Sequence, residues 1–120
     1  MSDDKTFIQA KVEKHKIGSY EKHIFLCTGP TCCSESTGKE VWDHLKESLA
    51  GKDPEKKIFR TKVGCLRICK AGPIALVYPD GTWYRDVDSK AVDKIIDQHL
   101  LGGKPVEELK IAENPLTHCE

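Results

Sequence analysis

The chain has 120 residues, enough for one domain with its own core. Its 19 basic and 19 acidic side chains cancel to zero formal charge, which argues against a general nucleic-acid binder. No apolar run approaches the roughly 20 residues of a membrane span, and the charged start MSDDKTFIQAKVEKHK lacks the apolar centre of a signal peptide, so a cytoplasmic location is expected.

Residues 1–22 alternate charges with scattered apolar side chains and read as a partly helical N-terminal extension ending near Gly18. HIFLC (23–27) is a short apolar strand, broken by the Gly and Pro of TGP. A helix follows. Thr37 is the expected N-cap, with Glu40 three positions on, and Val41, Trp42, Leu45 and Leu49 share one face. Gly51 and Pro54 are expected to end it. KKIFRTKV (56–63) reads as a second strand, GCLRICKAGP (64–73) as a loop, and IALVY (74–78) as a continuous apolar central strand. Pro79-Asp80-Gly81 predicts a hairpin turn, with residues 82–87 returning. Ser89 is the expected cap of a last helix with Val92, Ile95, Ile96 and Leu100 on one face, stopped by LGGKP. The acidic tail is expected to be mostly irregular. The order β-α-β-β-β-α suits a small α/β sheet of thioredoxin-like type.

The chemistry lies in six cysteines. In a reducing compartment clustered cysteines bind metal or do redox work more often than they form structural disulfides. Cys27 and Cys32 are spaced C-x4-C, Cys65 and Cys69 C-x3-C, and 32 residues separate the pairs. Both pairs fall in loops at strand ends, so adjacent strands would bring four thiolates to one end of the sheet. Zinc is one candidate, although its knuckles usually hold about two to four intervening residues. A [2Fe–2S] cluster is the other, because each of its irons takes a pair of thiolates. The absence of any C-x-x-C excludes a thioredoxin-type dithiol active site. Gly29, Gly64 and Gly72 would let backbone N–H groups approach the sulfurs. Cys33 is adjacent to Cys32 and is its alternative as ligand.

The segments CTGPTC, GCLRIC followed by GP, VYPDGTWY and HLLGGKPVEEL resemble those of the thioredoxin-like [2Fe–2S] ferredoxins. The small [2Fe–2S] subunit of bacterial NADH dehydrogenases has the same pattern. The resemblance runs from about His23 to Ile111. It divides the chain into an extension (1–22), a ferredoxin domain (23–111) and a tail (112–120). It implies an α/β, thioredoxin-like fold with a small mixed sheet and two main helices. It also implies one [2Fe–2S] cluster per chain on Cys27, Cys32, Cys65 and Cys69, single-electron transfer without catalysis, and a homodimer. The sequence departs from the family in a slightly longer stretch after Cys32 and in the extra Cys33. A subunit of an NADH or formate dehydrogenase-type complex, and a structural zinc or thiol- and metal-sensing domain using Cys32 and Cys33, are the alternative readings.

The remaining candidates follow from charge and packing. Residues 52–70 hold seven Lys or Arg against two acids. Within them Lys62, Arg67 and Lys70 flank the second cysteine pair and are candidates for docking redox partner proteins, donor and acceptor unnamed. Trp83 and Tyr84 either pack on the hairpin or lie near the cluster or a dimer face. Pro73 stands where thioredoxin-like folds often place a cis proline. Cys119 reads as an exposed, inert thiol. His15, His23, His44 and His99 have no ligand-like grouping and read as surface or internally satisfied histidines.

Overall fold

The computed structural model describes residues 2–30, 32–68 and 70–115. Its elements are helix α1 (Ser2–Lys14), strand β1 (Lys22–Cys27), helix α2 (Glu35–Lys52), strands β2 (Ile58–Val63), β3 (Ala75–Tyr78) and β4 (Thr82–Tyr84), helix α3 (Ser89–Lys94) running on into a π-helical segment (Ile95–Leu100), and strand β5 (Lys110–Glu113). The strands form one mixed sheet in the order β2-β1-β3-β4-β5. Only β1 and β2 run parallel, as a strand–helix–strand crossover through α2 requires. The hairpin pairs β3 with β4, and β1 lies antiparallel to β3.

One sheet face is covered by helices. Ile24 and Leu26 of β1 and Ala75 and Val77 of β3 meet Val41, Leu45 and Leu49 of α2, and Val92, Ile95 and Ile96 from the last helix. The expected apolar stripes therefore form the core, and Trp42 is packed at its margin. Leu45 has no exposed surface; shortening it to Ala would cost about 2–5 kcal/mol.

Three local expectations are corrected and one is refined. The cap of α2 is Ser34, not Thr37: Ser34 is extended (φ −69, ψ 154) and its Oγ accepts the Thr37 N–H at 3.2 Å, so the helix starts directly after the cysteine loop. The helix also passes through Gly51 and stops at Asp53, before Pro54. The last helix is capped by Asp88, not Ser89, because the Asp88 carboxylate reaches the Ala91 N–H at 2.8 Å. The tail is not irregular throughout. Residues 110–113 pair antiparallel with β4 and cover what would otherwise be an open edge, with Asn114 N–H donating to the Gly81 carbonyl at 2.7 Å.

At the start of β1, a chain of hydrogen bonds ties the hairpin to the last helix. His99 is fully buried, with its Nε2 on Asp80 and its Nδ1 2.8 Å from the Tyr84 hydroxyl. That hydroxyl accepts the Val106 N–H at 2.9 Å, and Lys22 Nζ donates to Asp80 at 3.3 Å. A proton arrangement in which His99 Nε2 donates to the carboxylate and Nδ1 accepts the tyrosine proton satisfies the whole chain. Partial burial works against the Asp80 carboxylate, but the His99 hydrogen bond and the Lys22 charge outweigh it and hold its pKa below the ordinary carboxylate range. Burial pushes the Tyr84 hydroxyl up to about 12, so it stays protonated as this arrangement needs.

Candidate metal centre

The other end of β1 carries the thiols. Parallel pairing sets Cys27 opposite Val63, so the loop after β1 and the loop after β2 leave the sheet at the same end. Cys27 Sγ lies 3.8 Å from the Gly64 carbonyl, beside Cys65. Cys32 folds back over β1, its Sγ 3.7 Å from the Cys27 carbonyl and 3.8 Å from Cys33 Sγ. Cys27 and Cys32 are buried, Cys33 is half-buried and Cys65 is exposed; none of the four is in a disulfide. Cys69 and Cys119 lie outside the described residues.

Close backbone contacts hold these loops. In the first turn of α2, Gly38 packs on Thr28 so tightly that an added Cβ would fall 2.6 Å from the Thr28 carbonyl carbon. Gly72 donates its N–H to the Cys32 carbonyl at 3.0 Å, and a Cβ there would lie 2.8 Å from Cys32 Cβ. The second cysteine loop is thus bonded to the first. The Gly72–Pro73 peptide is cis, as the sequence position suggests.

The surroundings suit soft, anionic ligands. Ile74 is buried with Cys27 and Cys32, and Cys33, Val63, Leu66 and Trp83 pack around them as an apolar shell. This assigns Trp83 to the thiols, whereas Tyr84 belongs to the main core. Burial pushes the Cys27 thiol up, and the neighbouring Cys32 adds to that; the Gly29 and Leu66 N–H groups pull the other way. Arg67 N–H donates to Cys65 Sγ at 3.2 Å. N–H donors are therefore present, but not all where expected. Gly29 supplies one, Leu66 and Arg67 supply others, and Gly72 is bonded to a carbonyl instead.

Among the described residues no three metal-binding side chains close on one point. The donor set nevertheless fits a [2Fe–2S] cluster: thiols from two adjacent loops, N–H groups aimed at sulfur, and an apolar lining. Lys62, Arg67 and Lys70 are all exposed, Lys62 at the end of β2 and the other two on the second cysteine loop. Among the described residues the histidines make their contacts elsewhere. His44 bonds Asp93 at 2.9 Å, and His23 stacks on Phe25 with centroids 4.0 Å apart. No helix among the described residues is long and apolar enough to cross a membrane.

Comparison with known proteins gives a consistent result. The profile of the family described as "Thioredoxin-like [2Fe-2S] ferredoxin" matches residues 9–100. A protein of Aquifex aeolicus named "Ferredoxin, 2Fe-2S" is 37% identical over 103 residues, covering 77% of this chain and 90% of its own length. One of the same name from Clostridium pasteurianum is 32% identical over 96 residues, covering 74% and 94%. A solved thioredoxin-like [2Fe-2S] ferredoxin from Aquifex aeolicus superposes with a TM-score of 0.69 at 34% identity, over 82% of this chain and 99% of that one.

Proposed function

The chain belongs to the thioredoxin-like [2Fe–2S] ferredoxin family, an iron–sulfur electron-transfer protein with one [2Fe–2S] cluster, and on that premise we propose that it carries electrons singly on a cluster held by Cys27, Cys32, Cys65 and Cys69. The observation that carries the ligand reading is the parallel β1–β2 pair, which sends both cysteine loops to one end of the sheet. When bound, the cluster supplies a site that accepts and returns one electron. The chain's own part is to present thiolates in pairs, to offset their charge with the Gly29, Leu66 and Arg67 N–H groups, and to exclude water with Ile74, Leu66 and Trp83. Exposed Cys65 marks where a partner would approach, and Lys62, Arg67 and Lys70 would draw that partner in. The protein would work in the cytoplasm as a homodimer and turn over no substrate itself.

Iron and acid-labile sulfide analysis with a visible spectrum tests the site. Two irons and two sulfides per chain are expected. Serine at Cys33 should leave the spectrum intact, while serine at Cys32 should disturb it. The reverse result would exchange the two assignments. Stable co-purification with flavin or molybdenum subunits would favour a role inside a dehydrogenase complex over a free carrier. Sedimentation of the holoprotein reads the homodimer.

A further inference from the structure

Strand β2 forms one edge of the sheet, and the direction of its backbone groups follows from its bonds. The Lys57 and Val63 carbonyls face β1, where they accept from Lys22 and Thr28 N–H. Alternation then turns the N–H and C=O groups of Ile58, Arg60 and Lys62 outward. Asp53 takes the Ile58 N–H at 2.9 Å. The Arg60 and Lys62 groups form an open edge, a template for one more strand.

Two cavities of about 400 and 420 Å³ lie along this edge against α2 and share Lys46 in their walls. One opens beside Thr28 and Gly29 at the cysteine loop, and the other reaches Lys14 at the end of α1. Between them the Arg60 guanidinium lies over the Trp42 ring, 5.6 Å from its centre. Arg60 Nε is buried without a hydrogen-bond partner.

The charges of the groove do not cancel. Among the described residues Lys14, Lys56, Arg60 and Lys62 are in no ion pair, whereas Lys22, Lys39, Lys52 and Lys57 each have a carboxylate. The acids nearby are mostly engaged. Asp43 holds Lys39 at 2.7 Å and Lys46 at 3.4 Å, and Asp53 is bonded to the Lys57 and Ile58 N–H groups. Glu35, at the cysteine-loop end, is the acid left over. A planar guanidinium held over an aromatic face is suited to a carboxylate at its terminal N–H groups.

We propose that this groove receives an extended acidic segment of a redox partner, which adds a strand outside β2 and sets one carboxylate on Arg60 and others on Lys56 and Lys62. The proposal rests on the electron-carrier reading and deepens it. Main-chain pairing supplies affinity, side chains supply selection, and the groove leads the partner to the cysteine loop.

The test uses the holoprotein and a synthetic peptide alternating Glu and Val, with a Lys/Val peptide as control. Hydrogen exchange read by mass spectrometry should slow at the Arg60 and Lys62 amides with the acidic peptide alone, and less so at high salt. Arg60→Glu should weaken binding on the order of tenfold, and Lys90→Glu on α3 should not. Lys62→Pro removes an outward N–H without touching the β1 pairing and should abolish the protection. Equal binding of the Lys/Val peptide, or protection elsewhere on the chain, would overturn the proposal. So would inorganic phosphate reproducing the effect of Arg60→Glu with no protected amides, which marks a small-anion pocket. The visible spectrum and reduction by a chemical donor, followed in the same samples, test the carrier reading separately.

Discussion

The two ends of β1 handle polar groups in opposite ways. At its start, Lys22, Asp80, His99, Tyr84 and the Val106 N–H form a chain in which each donor meets an acceptor of this same protein. At its other end, Cys27 and Cys32 are buried against carbonyl oxygens at 3.8 and 3.7 Å, contacts that satisfy a thiol weakly and a thiolate not at all. Four residues thus separate a site that is complete by itself from a pair of buried sulfurs whose thiolate form calls for a positive partner. As neutral thiols these sulfurs suit an apolar shell; as thiolates they would need a compensating positive charge.

Substitutions at the two ends should accordingly fail in different ways. The largest effect is expected for Cys27→Ser, which should remove the visible absorption of the cluster and leave Tyr84 and His99 packed as before; far-UV and near-UV circular dichroism would check this. Next is Gly72→Ala. Its Cβ must push Cys32, so cluster affinity should fall about 10–100-fold, measured by chelator competition. Tyr84→Phe breaks the first end instead. It strands the Val106 N–H and His99 Nδ1, at a cost of about 1–3 kcal/mol, seen as a Tm lower by several degrees with an unchanged visible spectrum.

Acid sharpens the contrast. The folded-state pKa of Asp80 is below its unfolded value of about 3.9, so its contribution is complete above that value and is lost as pH falls through the lower folded pKa. Stability measured by denaturant titration should therefore fall below about pH 4, and Asp80→Asn should flatten that fall. The smallest effect is expected for Lys22→Ala, about 0.2–1 kcal/mol, because its ion pair with Asp80 is partly exposed.

Legibility in the sequence followed the range of the interactions. The apolar stripes of α2 and the last helix, the central strand and the hairpin turn are local patterns, and each is found close to where it is expected. Caps were missed by one to three residues, because Thr37-Glu40 satisfies the same local rule as Ser34, and only the cysteine loop decides where the chain turns helical. β5 gave no signal, since Lys110–Glu113 holds just Ile111 and Ala112 as apolar residues and its strand character comes from the β4 edge. At the thiols, spacing pointed to two loops at one sheet end. It could not show that Trp83 joins their shell or that Gly38 must be bare against Thr28. The His99 chain joins residues 80, 84, 99 and 106, a grouping that no linear motif announces.

The Gly72 N–H bond to the Cys32 carbonyl has a consequence in coordination chemistry. It ties the loop of Cys65 to the loop of Cys32 through the backbone, independently of any sulfur. If those loops carry the ligands as proposed, the backbones that bear the donors are joined before any metal arrives. Much of the entropy of gathering donors is met during folding by the sheet and its core, unlike in a zinc finger, where the metal itself drives the fold. Metal uptake then becomes insertion into a standing frame, and its loss should leave the frame upright.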